Sequence, residues 1–167
     1  MKTEHYEIER KFIIRRPDRA YLETHAEPTC ILQTYLLGEP GETTRVRKRW
    51  SGGEVRYTLT VKTRVNAMRQ IERERELSER EYEELLKTAD PERKPIRKER
   101  WVLPYRGQRF EIDLFPFWKK QAYLELELGD ESQEIEFPPA LEIIREVTGD
   151  SRYTNRALAR EIPDEDE

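Results

Sequence analysis

A single cysteine, Cys30, stands in 167 residues, so no intramolecular disulfide can close and no cysteine-based zinc centre can be built. Histidine is almost as scarce. His5 and His25 are too far apart in pattern to suggest a joint site, and both are expected at the surface. No apolar run approaches the roughly 20 residues that a membrane-spanning helix needs, and Met1-Lys2-Thr3-Glu4-His5-Tyr6 is no hydrophobic signal segment. Internal repeats and Gly/Ser linkers are missing too. A net charge of only -4 argues against a general nucleic-acid binder, whose footprint is a net basic domain. These absences leave a cytoplasmic, single-domain protein over residues 1–162, with an acidic tail at 163–167 expected to lie in solvent.

What is abundant is charge of both signs. Asp, Glu, Lys and Arg make up 40% of the chain, and mean hydropathy is -0.99. Disorder is argued against by the small net charge and by aromatics at 10%, spread along the whole length. A folded chain of this kind either coats its surface with the charges or lines a wet interior with a subset of them.

Period-2 alternation dominates, and predicts strands at Tyr6–Ile14, Cys30–Leu37, Thr43–Trp50, Val55–Lys62, Gln70–Leu77, Ile96–Leu103, Gln108–Leu114 and Tyr123–Leu128. Helical signals are fewer. Ser78-Glu79-Arg80-Glu81 reads as a capping box opening Glu79–Thr88. Pro139–Thr148 carries Leu141, Ile144 and Val147 at helical spacing before Gly149. Ala20–His25 and Thr154–Arg160 are expected to be short helices. About eight strands with few helices predict a mainly β, α+β fold: an eight-stranded antiparallel closed β-barrel with the helices packed outside.

Residues of equal parity on a strand share a face. Glu7, Glu9 and Lys11 therefore point one way, as do Glu72, Glu74 and Glu76, Glu111 and Asp113, and Glu125 and Glu127. Arg45, Arg47 and Arg49 share a face on another strand, Lys62 joins Thr58 and Thr60, and Lys98 joins Arg100. Any half-exposed strand alternates charge with Leu or Ile. Solvent faces, however, mix signs, because like charges side by side destabilise a sheet. Acids gathered on some strands and bases on others suggest a divalent cation on one wall and a polyanion on the other. Carboxylates suit hard ions such as Mg²⁺ and Mn²⁺, and arginine forks match phosphate oxygens.

With these pieces placed, the chain resembles the CYTH family, the triphosphate tunnel metalloenzymes. The resemblance runs in order through Glu7-Ile8-Glu9-Arg10-Lys11-Phe12, which fits the E-x-E-x-K signature, then Arg45-Val46-Arg47, Leu59-Thr60-Val61-Lys62 and Glu72–Glu76. It continues through Lys98-x-Arg100, Glu111-Ile112-Asp113, Glu125-Leu126-Glu127 and Arg152–Ala159. It implies a tunnel that holds a triphosphate and Mg²⁺ or Mn²⁺. Glu7, Glu9 and Glu125 are implied as ligands of a first metal. Asp113, Glu127 and one of Glu72 or Glu74 are implied for a second. Lys11, Arg45, Arg47, Lys62 and Arg100 are implied as the phosphate cradle, with Lys98 helping to activate water and Arg100 beside it in catalysis. Two departures stand out: Phe115–Ala122 lacks the glycine-rich turn of many members, and Phe12-Ile13-Ile14-Arg15 replaces the H-F-x-R type motif of the cyclase branch.

The leading expectation is hydrolysis of inorganic tripolyphosphate by a monomer or homodimer that needs neither nucleic acid nor membrane. A thiamine triphosphatase or adenylate cyclase would keep the site and add an aromatic platform from Trp50, Tyr57, Trp101 or Trp118. A non-catalytic polyphosphate- or nucleotide-binding module would bind without turnover.

Overall fold

The computed structural model describes residues 2–166. Nine strands form one antiparallel sheet: β1 (Lys2–Arg15), β2 (Glu27–Leu36), β3 (Glu42–Ser51), β4 (Glu54–Arg64), β5 (Arg69–Leu77), β6 (Ile96–Tyr105), β7 (Gln108–Leu114), β8 (Gln121–Glu127) and β9 (Ile143–Glu146). Helices α1 (Arg19–His25), α2 (Glu79–Leu86) and α3 (Asn155–Leu158) complete the chain, with a 3₁₀ turn at Ser151–Tyr153. None of the helices is long and apolar enough to cross a membrane.

The strand order β5-β4-β3-β2-β6-β7-β8-β1 returns on itself through a β1–β5 pairing, so eight strands close a barrel. β1 is the seam. One of its edges pairs with β8, and the other with β5 from Lys2 to Ile8 and then with β9 from Phe12 to Ile14. Closure follows from the alternation, because every strand has one face that needs apolar cover and another that needs polar company.

The apolar faces point outward and are coated. Ile8, Phe12, Trp101, Phe110, Ile112 and Leu124 lie beneath Leu22 of α1 and Ile135, Phe137 and Leu141 of the segment after β8. On the other side, Leu36, Val46 and Leu77 pack with Tyr82 of α2. The predicted capping box forms: Ser78 accepts from the Glu81 amide, and the Glu81 carboxylate accepts from the Ser78 amide.

The inward faces are graded along the barrel axis. From one end to the other, β1 presents Glu7, Glu9, Lys11 and Ile13, and β8 presents Glu127, Glu125 and Tyr123. The far end is filled by Ile13, Tyr35, Ile96, Phe115, Trp118 and Tyr123, with Tyr153 and Leu158 from the C-terminal segment. The barrel thus has an open acidic mouth, a belt of ion pairs and an apolar floor.

Two expectations are corrected. Residues 139–148 do not form a helix: Ile143–Glu146 is a strand, because β1 leaves β5 after Ile8 and the freed backbone at residues 12–14 needs partners. Gly149 ends this piece at φ 76, where a Cβ would lie 2.8 Å from that of Ala67. The acidic tail is docked, not solvated. Pro163 O accepts from the Trp118 indole at 3.1 Å, Glu165 accepts from the Lys120 amide at 2.7 Å, and Asp166 pairs with Arg145 at 2.7 Å. The glycine-free 115–122 segment makes its turn with aromatics in the floor, Phe115 stacking on Phe117 and meeting Trp118 edge-on.

Candidate active site

A cavity of about 1710 Å³ fills the barrel. Eleven of the residues singled out in the sequence line it: Glu7, Glu9, Lys11, Arg45, Arg47, Lys62, Glu72, Glu74, Arg100, Glu125 and Glu127. The ring order sets β3 diametrically opposite β8, so the arginine strand faces the glutamate strand across the cavity. Arg49 and Glu111 also line it. Parity alone would have added both to the site, since Arg49 shares the face of Arg45 and Arg47.

Lys98 and Asp113 are not on the cavity wall. Their side chains are 0% and 1% exposed and lie 2.8 Å apart. Both Asp113 oxygens are engaged: Arg100 donates to them bidentately at 2.8 and 2.9 Å, and Lys98 reaches Oδ2. Burial opposes the Asp113 charge, but Arg100 and then Lys98 hold the group far below its ordinary range. Three donors thus occupy the Asp113 carboxylate, and neither Lys98 nor Asp113 lines the cavity. The sequence reading did not pair Arg100 with Asp113. A tight turn at Arg106-Gly107, with φ of 47 and 73, pairs Tyr105 with Gln108 and therefore Arg100 with Asp113.

The remaining carboxylates divide by whether the protein supplies a cation. Glu125 has Lys11 at 3.3 Å and Arg100 at 4.0 Å. Burial raises it, yet Lys11, Arg100 and Lys98 prevail and hold it at about 2. Glu111 meets Arg100 at 2.7 Å, Glu72 has Lys62 at 3.6 Å, and Glu74 accepts from Thr60 at 3.0 Å. Among the described residues, Glu9 and Glu127 have no cation within ion-pair distance, although they are direct partners across β1 and β8. Burial, and then Glu125, push Glu9 above the usual carboxylate range. Burial and Glu7 do the same to Glu127. Glu7 is raised as well, by burial and Glu72, against the pull of Lys62 at 3.2 Å. Like charges opposed on neighbouring strands destabilise a sheet. The mouth therefore has a deficit of positive charge that a divalent ion on Glu7, Glu9 and Glu127 fits.

On the opposite wall the deficit is reversed. Arg45 and Arg47 are 8% and 3% exposed, and with Arg49 they have no carboxylate within ion-pair distance among the described residues. Nε of Arg45 and of Arg49 is buried without a partner, while Nε of Arg47 donates to Gln33 at 3.0 Å. Burial pushes the Arg47 guanidinium well below its ordinary range, and Arg45, Arg49 and Arg100 push it further.

The floor holds this arrangement in place. Lys11 donates to Tyr153 O at 3.2 Å, which also accepts from Tyr123 Oη at 2.7 Å. Asn155 Oδ1 accepts from Lys98 at 3.1 Å and from Gln33 at 3.2 Å. Sequence reading missed Gln33, Tyr153 and Asn155 as supports, because the contacts that join them to the site are distant in sequence: 142 residues for Lys11 to Tyr153, 122 for Gln33 to Asn155 and 57 for Lys98 to Asn155.

An eight-stranded barrel with an ion-lined interior defines the class of tunnel-like barrel proteins. Comparison with known proteins gives the particular family. The chain is 35% identical to the inorganic triphosphatase of Nitrosomonas europaea over 94% of its own length and 99% of that protein. It is 32% identical to the inorganic triphosphatase of Acetivibrio thermocellus over 92% and 93%. The crystal structure of the inorganic triphosphatase NE1496 superposes with a TM-score of 0.59 at 29% identity, covering 95% of this chain and 97% of that one. The PH1012 protein of Pyrococcus horikoshii OT3 shares the fold, with a TM-score of 0.55 at 20% identity. No protein-family model matches the chain. The chain belongs to the inorganic triphosphatase family.

Proposed function

We propose that this chain hydrolyses inorganic triphosphate to pyrophosphate and phosphate inside the barrel, with Mg²⁺ or Mn²⁺ held at the acidic mouth. The observation that supports this most is the row Arg45, Arg47 and Arg49, enclosed with no carboxylate partner and facing a glutamate strand. Buried cations are costly unless paired, and a triphosphate supplies the missing negative charge along its length.

Glu7, Glu9 and Glu127 would hold the metal, which when bound neutralises phosphate oxygens and acidifies a coordinated water. The chain's own residues bind and orient. Arg45, Arg47 and Arg49 donate to the phosphate oxygens as forks, and Lys11 and Lys62 add point charges from the two flanks. Arg100 reaches the cavity between Glu111 and Glu125, braced from behind by Asp113. Lys98 is a positioning residue in this reading, since it touches Asp113 and Asn155 but not the cavity.

The cavity also favours an inorganic substrate over one with a ring. Tyr35 is the one aromatic lining it among the described residues. Trp101 and Trp118 are buried in apolar clusters, Tyr57 packs on Tyr82, and Arg97 lies over Trp50. None of the four is placed to stack on a base. A cytoplasmic setting is part of the same reading, because the single free cysteine requires no oxidising compartment.

Incubation with tripolyphosphate and Mg²⁺ or Mn²⁺ tests the proposal. Phosphate release with one of the ions, and loss of it in Arg47→Ala, are expected. Tight tripolyphosphate binding with no phosphate released by either ion would reduce the protein to a binding module. A higher kcat/KM for a ring-bearing triphosphate would move the reading to that substrate.

A further inference from the structure

His5 lies at the open end of the barrel, two residues before Glu7 on the same face of β1. Its Nε2 is 3.6 Å from Glu7 Oε1, and one donor atom each from His5, Glu7 and Glu127 lie within 4.8 Å of one another. A first-row ion sits about 2 Å from each nitrogen or oxygen ligand, which keeps donors about 3–4 Å apart. Small side-chain rotations bring the three to that spacing. The His5 side chain is 46% exposed, so an ion reaches it from solvent.

The surroundings are complementary. Glu127 has no cation at ion-pair distance among the described residues, and Glu9 stands directly opposite it. The residue across from His5 on β5 is Glu72, whose carboxylate is drawn toward Lys62 at 3.6 Å. Gln70 also reaches Glu7, at 3.2 Å, but through an amide nitrogen that has no lone pair to give a metal, whereas the His5 ring has one.

We propose that His5 is a metal ligand and that, with Glu7 and Glu127, it makes the mouth a site for divalent transition ions of the cobalt and zinc kind. Imidazole suits such ions, whereas magnesium prefers carboxylate and water oxygens. This rests on the reading of the mouth glutamates as a cation site, and adds to it a donor that selects between ions. Mg²⁺ is held by the carboxylates alone, and Co²⁺ or Zn²⁺ by the same carboxylates plus the ring.

Binding of Co²⁺, Zn²⁺ and Mg²⁺ to the intact chain by calorimetry near neutral pH tests this, with visible absorption reporting the cobalt ligand field. His5→Ala should weaken Co²⁺ and Zn²⁺ by roughly ten- to hundredfold and leave Mg²⁺ within about twofold. The imidazole protons of His5 should move on adding Zn²⁺ while those of His25, stacked on Tyr21 in α1, stay. Unchanged Co²⁺ affinity in His5→Ala, or an unmoved His5 ring, overturns the proposal and leaves the glutamate site standing. Failure of the unmodified chain to bind any of the three ions would remove both.

Discussion

Arg45 and Asp113 are both enclosed charges, yet their substitution should have opposite effects. Asp113 neutralises two buried cations, Lys98 and Arg100. Asp113→Ala leaves Lys98 without a carboxylate partner in an enclosed site and strips Arg100 of its bidentate one, and should cost about 3–5 kcal/mol of stability, read from urea unfolding. Arg45 neutralises nothing and helps push the Arg47 guanidinium down. Arg45→Gln should stabilise the substrate-free protein by about 1 kcal/mol, or roughly 2–4 °C in Tm. The same change should raise KM for tripolyphosphate about ten- to hundredfold, the loss expected for a hydrogen bond to a charged group. A variant with lowered Tm and unaltered KM would mean that Arg45 serves the fold and not the substrate.

At the level of elements, the barrel was legible because eight strands each carry an unbroken period of two over seven or more residues. β9 was not. It has four residues, and its Ile144, with Leu141 before it and Val147 after it, also fits a helical spacing. Only the freed edge of β1 decides between the two readings, and that edge exists because β5 and β9 share one strand. The candidate site shows the same boundary. Which face each charge occupies follows from parity, whereas the Arg100–Asp113 pair needed the register that the turn at Arg106-Gly107 sets. That Glu9 faces Glu127 needs the closed sheet, since the two are joined only through β1–β8 pairing. The docked tail escaped for a like reason: its partners, Trp118, Lys120 and Arg145, belong to the floor and to β9. Removing residues 163–167 should leave the Trp118 indole donor without its acceptor and cost about 1–3 kcal/mol. A red shift of tryptophan emission with lowered Tm checks this, and unchanged values of both would mean that the tail contributes nothing.

For the molecule as a whole, two sets of carboxylates act in opposite directions as pH changes. Glu7, Glu9 and Glu127 lie above their usual 4.5 in the folded protein, so folding favours their protonated form. Their penalty is full at neutral pH and is relieved as pH falls through their raised values. Glu125, held at about 2 against a usual 4.5, stabilises the fold above 4.5, and that stability is lost as pH falls through about 2. Without metal, Tm should therefore rise on acidification from neutral toward pH 4.5 and fall below it. Saturating Mg²⁺ should raise Tm at neutral pH and abolish the acid rise, because the ion neutralises the same three groups. Thermal scans across pH in EDTA and in Mg²⁺ measure both effects. A Tm in EDTA that only declines from neutral to pH 4.5 would contradict the charge deficit at the mouth.

The seam along β1 has a consequence for how the chain assembles. β1, which precedes the other strands of the barrel in the chain, is joined on one edge to β8 and on the other to β5 and β9, partners made later. Pairings so distant in sequence form slowly, and the cylinder cannot shut until β8 has emerged. Until then the edge of β1 that takes β8 is unpaired, and Glu127 has not met Glu7 and Glu9. The acidic mouth thus exists only once β8 has joined β1, completed by the same event that seals the wall.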